Sequence, residues 1–175
     1  MKPAILFASA ALAASALGQS SPLTRIQTRF DFVVHAPLDQ AMPLFGPEGE
    51  RAWAGIHWDP QFLFPQPAAD VEGAVFTVAH GPLNAVWVNT LFDQQARHFQ
   101  YVYFLPGIMV TVIDVRFAPC ESNATTVSVT YTRTALTPQG NEHVKAMSDN
   151  DKTSGPDWEH AIAAHLARSG TATKP

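Results

Sequence analysis

Five stretches between residues 73 and 134 alternate apolar and polar side chains, with only short turn signals between them. A repeat of two places successive side chains on opposite faces of a strand. Residues 74–80 run into Gly81-Pro82, a turn. Residues 85–92 set Trp87, Asn89 and Leu91 against Val86, Val88 and Thr90, and residues 99–105 align Phe99, Tyr101, Tyr103 and Leu105. Pro106-Gly107 then suits the two central positions of a type II turn. Met109, Thr111, Ile113, Val115 and Phe117 oppose Val112, Asp114 and Arg116. After a loop at 119–124, Val127, Val129 and Tyr131 oppose Ser128, Thr130, Thr132 and Thr134, which gives the sheet one wet side. Consecutive strands joined this closely make an antiparallel sheet.

An earlier strand is predicted at residues 26–35, with Thr28, Phe30, Phe32 and Val34 on one face. Pro37 closes it, and Leu38, Ala41, Met42 and Phe45 share one face of a short helix that Pro43 limits. Gly46-Pro47-Glu48-Gly49 reads as a break, and residues 50–54 as the start of a second short helix. Residues 50–65 then hold two tryptophans, two phenylalanines and two prolines. That much aromatic surface does not stay in water, and the prolines bar a regular helix or a central strand. The segment is expected to be an irregular aromatic cover that walls a cavity.

The C-terminal part is helical. Residues 138–152 carry a weak apolar stripe, Val144 and Met147. Ser154-Gly155-Pro156-Asp157 has capping-box spacing, which predicts a fresh helix start there. Trp158, Ala161, Ile162, His165 and Leu166 follow on one face, and the tail from 169 to 175 is small and polar. The apolar face of a curved sheet needs a cover, and this helix is the available one.

The first 18 residues read as an export signal: Lys2, an uncharged alanine-rich run, then small residues offering cleavage after Ala16 or Gly18. The run is too short for a membrane span. The remaining chain is long enough for one domain with a real core. The net charge of −4 becomes one unit more negative without Lys2, and no basic patch appears, which argues against nucleic acid as a partner. Cys120 is the sole cysteine, so no internal disulfide is available. The expected location is secreted or periplasmic.

Several phrases together resemble the START and birch-pollen-allergen superfamily, also called SRPBCC or polyketide cyclase/dehydrase-like. They are Phe32-Val33-Val34-His35-Ala36-Pro37-Leu38-Asp39-Gln40-Ala41, Gly49-Glu50-Arg51-Ala52-Trp53 with Trp58-Asp59-Pro60, and Gly73-Ala74-Val75-Phe76. Trp87-Val88, Tyr101-Val102, Val129-Thr130-Tyr131-Thr132 and Trp158-Glu159 continue the pattern. The resemblance covers residues 24–168 as one domain. It implies an α+β helix-grip fold: a curved antiparallel sheet wrapped around a C-terminal helix, with two short helices after the first strand. It also implies a hydrophobic cavity between sheet and helix. Members bind lipids, sterols, hormones or polyketides and some are enzymes, but no shared catalytic motif carries over.

The residues expected to line the cavity are Trp53, Trp58 and Trp87 with Tyr101, Tyr103 and Tyr131. Indole and phenol groups join apolar contact to a polar handle. His57, in His57-Trp58-Asp59, is added as a binding residue and as the candidate acid/base, since imidazole exchanges protons near neutral pH. His80 and His98 invite the same thought. No histidine spacing matches a metal motif: His160 and His165 lie five apart, on different faces of a helix. No cofactor is implied. The leading expectation is an exported protein that binds a small hydrophobic molecule. A cyclase or dehydratase, using His57 or a pocket tyrosine, and an interaction module without a cavity are the alternatives.

Overall fold

The computed structural model describes residues 22–120 and 123–172, so the expected export signal lies outside the described residues. Strand β1 (Arg25–Val34) leads into helix α1 (Leu38–Ala41), a 3-10 turn (Met42–Phe45) and helix α2 (Pro47–Glu50). Six strands follow: β2 (Gln61–Phe64), β3 (Val75–His80), β4 (Leu83–Asp93), β5 (His98–Leu105), β6 (Met109–Cys120) and β7 (Ala124–Ala135). Helix α3 (Gly140–Ala172) ends the chain. The strands form one antiparallel sheet in the order β1-β7-β6-β5-β4-β3-β2. This is the expected helix-grip architecture.

The alternation holds strand by strand. Phe99, Tyr101, Tyr103 and Leu105 are all buried, as are Met109, Thr111, Ile113, Val115 and Phe117 on the next strand. Gly107 adopts φ 70° and Ile108 N–H donates to Leu105 O at 3.1 Å, the type II turn that Pro106-Gly107 predicts. Against that regularity, the ladder shifts register between Asn89 and Leu91. A bulge inserts one unpaired residue and flips the faces beyond it. Leu91 therefore pairs with Gln100 on the outer side, and Phe92 takes the inner position, stacked on Phe99 at 3.9 Å.

Three further expectations are corrected. Gly46-Pro47 does not break the chain: Gly46 is the N-cap of α2 and Pro47 its first residue, so the helix begins before Glu50. Residues 61–64, read as irregular cover, form edge strand β2 against β3, a place where neighbouring prolines are tolerated. Ser154 is not an N-cap either. It lies inside α3 and its hydroxyl donates back to Asn150 O at 3.3 Å.

Helix α3 therefore runs unbroken through Pro156 and on to Ala172, past the expected domain end at 168. At 33 residues it is about 50 Å long. It lies on the concave face along β1, burying Val144 and Ile162 and setting Trp158 edge-on to Phe30 and Phe32. Deeper along it, Asp151 accepts from Arg133 Nη2 at 2.9 Å and from Arg133 Nη1 and Thr28 Oγ1 at shorter range. Helix, β7 and β1 are thereby joined by one buried ion pair.

Candidate functional site

The antiparallel register arranges the inner face in transverse rows. One row runs Phe76, Trp87, Tyr103, Thr111, Arg133 across β3 to β7, and the next runs Asn89, Tyr101, Ile113, Tyr131. Between these rows, α3 and the 42–60 segment lie two adjoining chambers. The first, of about 330 Å³, is walled by Trp53, Trp58, Trp87, Tyr101, Tyr131 and Trp158 among others. The second, of about 320 Å³, shares Trp58, Trp87, Ile113 and Tyr131 with it and continues to His80, Tyr103 and Arg133. Volumes of this size suit small ligands. Every tryptophan of the chain, four in all, borders the first chamber.

The cover is held by hydrogen bonds rather than by regular structure. Trp53 Nε1 donates to Leu44 O at 2.7 Å and Trp58 Nε1 to Pro47 O at 2.9 Å. Each indole thus satisfies its donor on the backbone and leaves its apolar surface to the cavity. Asp70 accepts from the Glu48 and Gly49 amides at 2.8 and 3.1 Å, which fastens α2 to the loop before β3. Gly49 passes so close to Pro43 that a Cβ would sit 1.9 Å from the Pro43 carbonyl oxygen, so only glycine fits. Arg51 ties down the far end through Glu48 Oε1 (2.8 Å), Asp59 Oδ1 (2.6 Å) and the Pro60 carbonyl.

All seven residues expected at the site border one chamber or both. Trp53 and Tyr101 line the first, His57 and Tyr103 the second, and Trp58, Trp87 and Tyr131 line both. His57 is exposed, and its neighbour Asp59 is engaged by Arg51. His98 sits on the outer face, 2.5 Å from Asp114. Among the described residues no group of His, Cys, Asp and Glu is placed to hold a metal ion.

His80 is the histidine with a hydroxyl partner. Its Nδ1 lies 3.3 Å from Tyr103 Oη, and burial, then the nearby His143, pull its pKa down. Burial pushes Tyr103 up to about 12 against the opposing charge of Arg133, and raises Tyr101 and Tyr131 as well. Neutral imidazole and neutral phenol are therefore the resting forms at pH 7. Among the described residues Trp87 Nε1, Thr111 Oγ1 and Arg133 Nε are buried without a hydrogen-bond partner.

Residue-level reading of the sequence missed Glu50, Asp157 and Trp158 as cavity lining. Trp158 was visible as part of a helical stripe and of the phrase Trp158-Glu159, not as cavity lining. Glu50 carried one available signal, a carboxylate embedded in the aromatic segment. Among the described residues its carboxyl has neither a hydrogen bond nor an ion pair, and burial, then the Asp70 charge, raise it well above the usual carboxylate range.

No family model matches the chain, and no curated protein does. Solved structures do. Truncated norcoclaurine synthase from Thalictrum flavum superposes with a TM-score of 0.60 at 12% identity, covering 87% of this chain and 97% of that one. Ara h 8.0201 gives 0.58 at 10% identity over 82% and 99%. CalU16 from Micromonospora echinospora gives 0.53 at 15% identity over 84% and 90%. A point mutant of the Thalictrum synthase has been solved in complex with a transition-state analogue. At these identities the likeness is one of fold. The chain adopts the helix-grip fold of the birch-pollen-allergen superfamily, the resemblance its sequence suggested, and small molecules are bound by neighbours on that fold.

Proposed function

We propose that this protein is exported and carries a small, largely apolar, ring-bearing molecule in its two-chamber cavity. The observation that carries the reading is the convergence of all four tryptophans, from the cover, β4 and α3, on one chamber. They come from three separate parts of the sequence, yet they border one volume. Transfer of apolar ligand surface into such a chamber is worth roughly 25 cal/mol per Å² before the cost of association. Two adjoining chambers suit an elongated ligand, and an interaction module with a filled core has no use for them.

Native mass spectrometry of the mature protein, taken from the exported fraction, tests the reading. A bound small molecule at one per chain is expected, and its extraction should change tryptophan emission. Rebinding should weaken about tenfold in Trp158→Ala, the equivalent of roughly 1.4 kcal/mol. An empty protein whose emission no naphthalene-sized apolar probe alters would sink the carrier.

The Tyr103–His80 contact favours a second reading, acid/base turnover of a ligand reaching the second chamber. It replaces His57 with His80 as the proton-exchanging group. Turnover that survives His80→Ala with an unchanged pH profile would remove it.

A further inference from the structure

The ionisable lining of the first chamber is one-sided. Glu50 and Asp157 border it, and among the described residues no Lys, Arg or His does. Asp157 is exposed, whereas Glu50, on α2, is partly buried. An unpaired carboxyl in an apolar enclosure is costly, and among the described residues no hydrogen bond or ion pair compensates this one. Around it the aromatic walls are set edge to face: Trp53 against Trp158 at 5.4 Å and Trp58 against Trp87 at 5.3 Å. The negative faces of indole rings attract a cation, Trp most strongly. A carboxylate and several tryptophans around one volume are therefore complementary to positive charge carried on an apolar body.

We propose that the first chamber is built for an organic cation: a ring-bearing ammonium whose charge is met by Glu50 and by tryptophan faces. The proposal rests on the carrier reading and names the chemistry of the carried molecule. The carboxyl enters the complex ionised. In the empty protein it holds its proton above the usual carboxylate range, under burial and the neighbouring Asp70. Binding a cation therefore expels a proton, and affinity rises with pH until Glu50 is ionised without help.

The other titratable groups around this carboxyl do not supply an internal cation. From the loop before β3 comes Asp70, itself raised by burial. Tyr101 on β5 and Tyr131 on β7 are neutral phenols near pH 7, and Asp157 on α3 is a second acid. On the cover, Glu48 is acidic, and Arg51 next in sequence is engaged by Glu48 and Asp59.

The test compares benzyltrimethylammonium with neopentylbenzene, its neutral isostere, by calorimetry on the mature protein. An ordinary apolar pocket prefers the hydrocarbon. Here the cation is expected to bind at least tenfold more tightly at pH 8, with a preference that shrinks toward pH 5. Because the probe's charge is permanent, any proton released comes from the protein. Proton release on cation binding is expected in the wild type at pH values where the empty protein still holds the Glu50 proton, read from buffers of different ionisation heat, and should largely vanish in Glu50→Gln. That variant should also reverse the preference while still binding neopentylbenzene, which shows that the chamber remains folded. Neopentylbenzene binding as tightly as the cation, or a cation preference that survives Glu50→Gln, overturns the charge assignment alone. If neither probe binds, the carrier reading falls with it.

Discussion

Glu50 and Asp151 show two ways of burying a carboxylate. Asp151 is 6% exposed and paired with Arg133, which is 3% exposed, so both charges are answered inside the fold. Glu50 has no such answer, and its protonation is the remaining way to reduce the cost. The sign of the consequence follows directly. The folded chain holds the Glu50 proton to higher pH than the unfolded chain does, so stability falls as pH rises through the interval between the two titrations. Above that interval the full cost is present, and below the unfolded value it is absent. Glu50→Gln is therefore expected to raise the melting temperature by roughly 2–4 °C at pH 8 and leave it unchanged at pH 4. A thermal scan showing the larger gain at acid pH would contradict the assignment. The tripeptide at 57–59 gives the converse lesson. His57, the candidate acid/base, stays exposed, and Arg51 engages the neighbouring Asp59 carboxylate.

Helix α3 passes through two residues that ordinarily end helices. Gly155 is buried against β1, where a Cβ would stand 3.4 Å from Phe30 Cδ2, so a small residue helps the helix lie close to the strand. Pro156 faces outward and is exposed. It lacks the N–H that would donate to the Lys152 carbonyl, and proline in a helix interior is strongly unfavourable relative to alanine. Packing of Val144, Trp158 and Ile162 holds the helix together across this defect. Pro156→Ala should therefore stabilise the protein by about 1–3 kcal/mol in urea unfolding. A loss of stability would mean that the proline shapes the path of α3 over the cavity. Local signals alone favour a helix start at Ser154; burial of the flanking apolar residues outweighed them. The bulge after Asn89 is a similar case, because one inserted residue exchanges Leu91 for Phe92 on the inner face.

The proposed export is a matter of the whole chain rather than of one residue or element. The carrier reading expects the exported form to begin after Ala16 or Gly18, and intact-mass measurement of that fraction checks it. Recovery of the exported protein with Met1 still attached would refute a cleaved signal.

Six of the seven strands, most of their faces and the 105–108 turn were legible in the residues because they depend on local rules; edge strand β2, read as irregular cover, and the faces beyond the bulge after Asn89 were not. A period of two, β-branched and aromatic residues, and Pro-Gly dipeptides act over a few positions. The helix-grip outline followed from their order. The cavity did not, because its walls come from residues as far apart as Phe45 and Trp158. Alternation identified which strand residues face inward, including Trp87, Tyr101, Tyr103 and Tyr131. Whether those inward groups fill a core or face open space depends on how far α3 and the cover stand from the sheet. Likewise, Glu50 is an ordinary acidic residue in sequence and becomes a desolvated one only when the fold sets it in the wall of the chamber shared with Tyr101 and Trp158. Local chemistry could decide the elements; the space between them, and the charge buried there, arose from packing at long range.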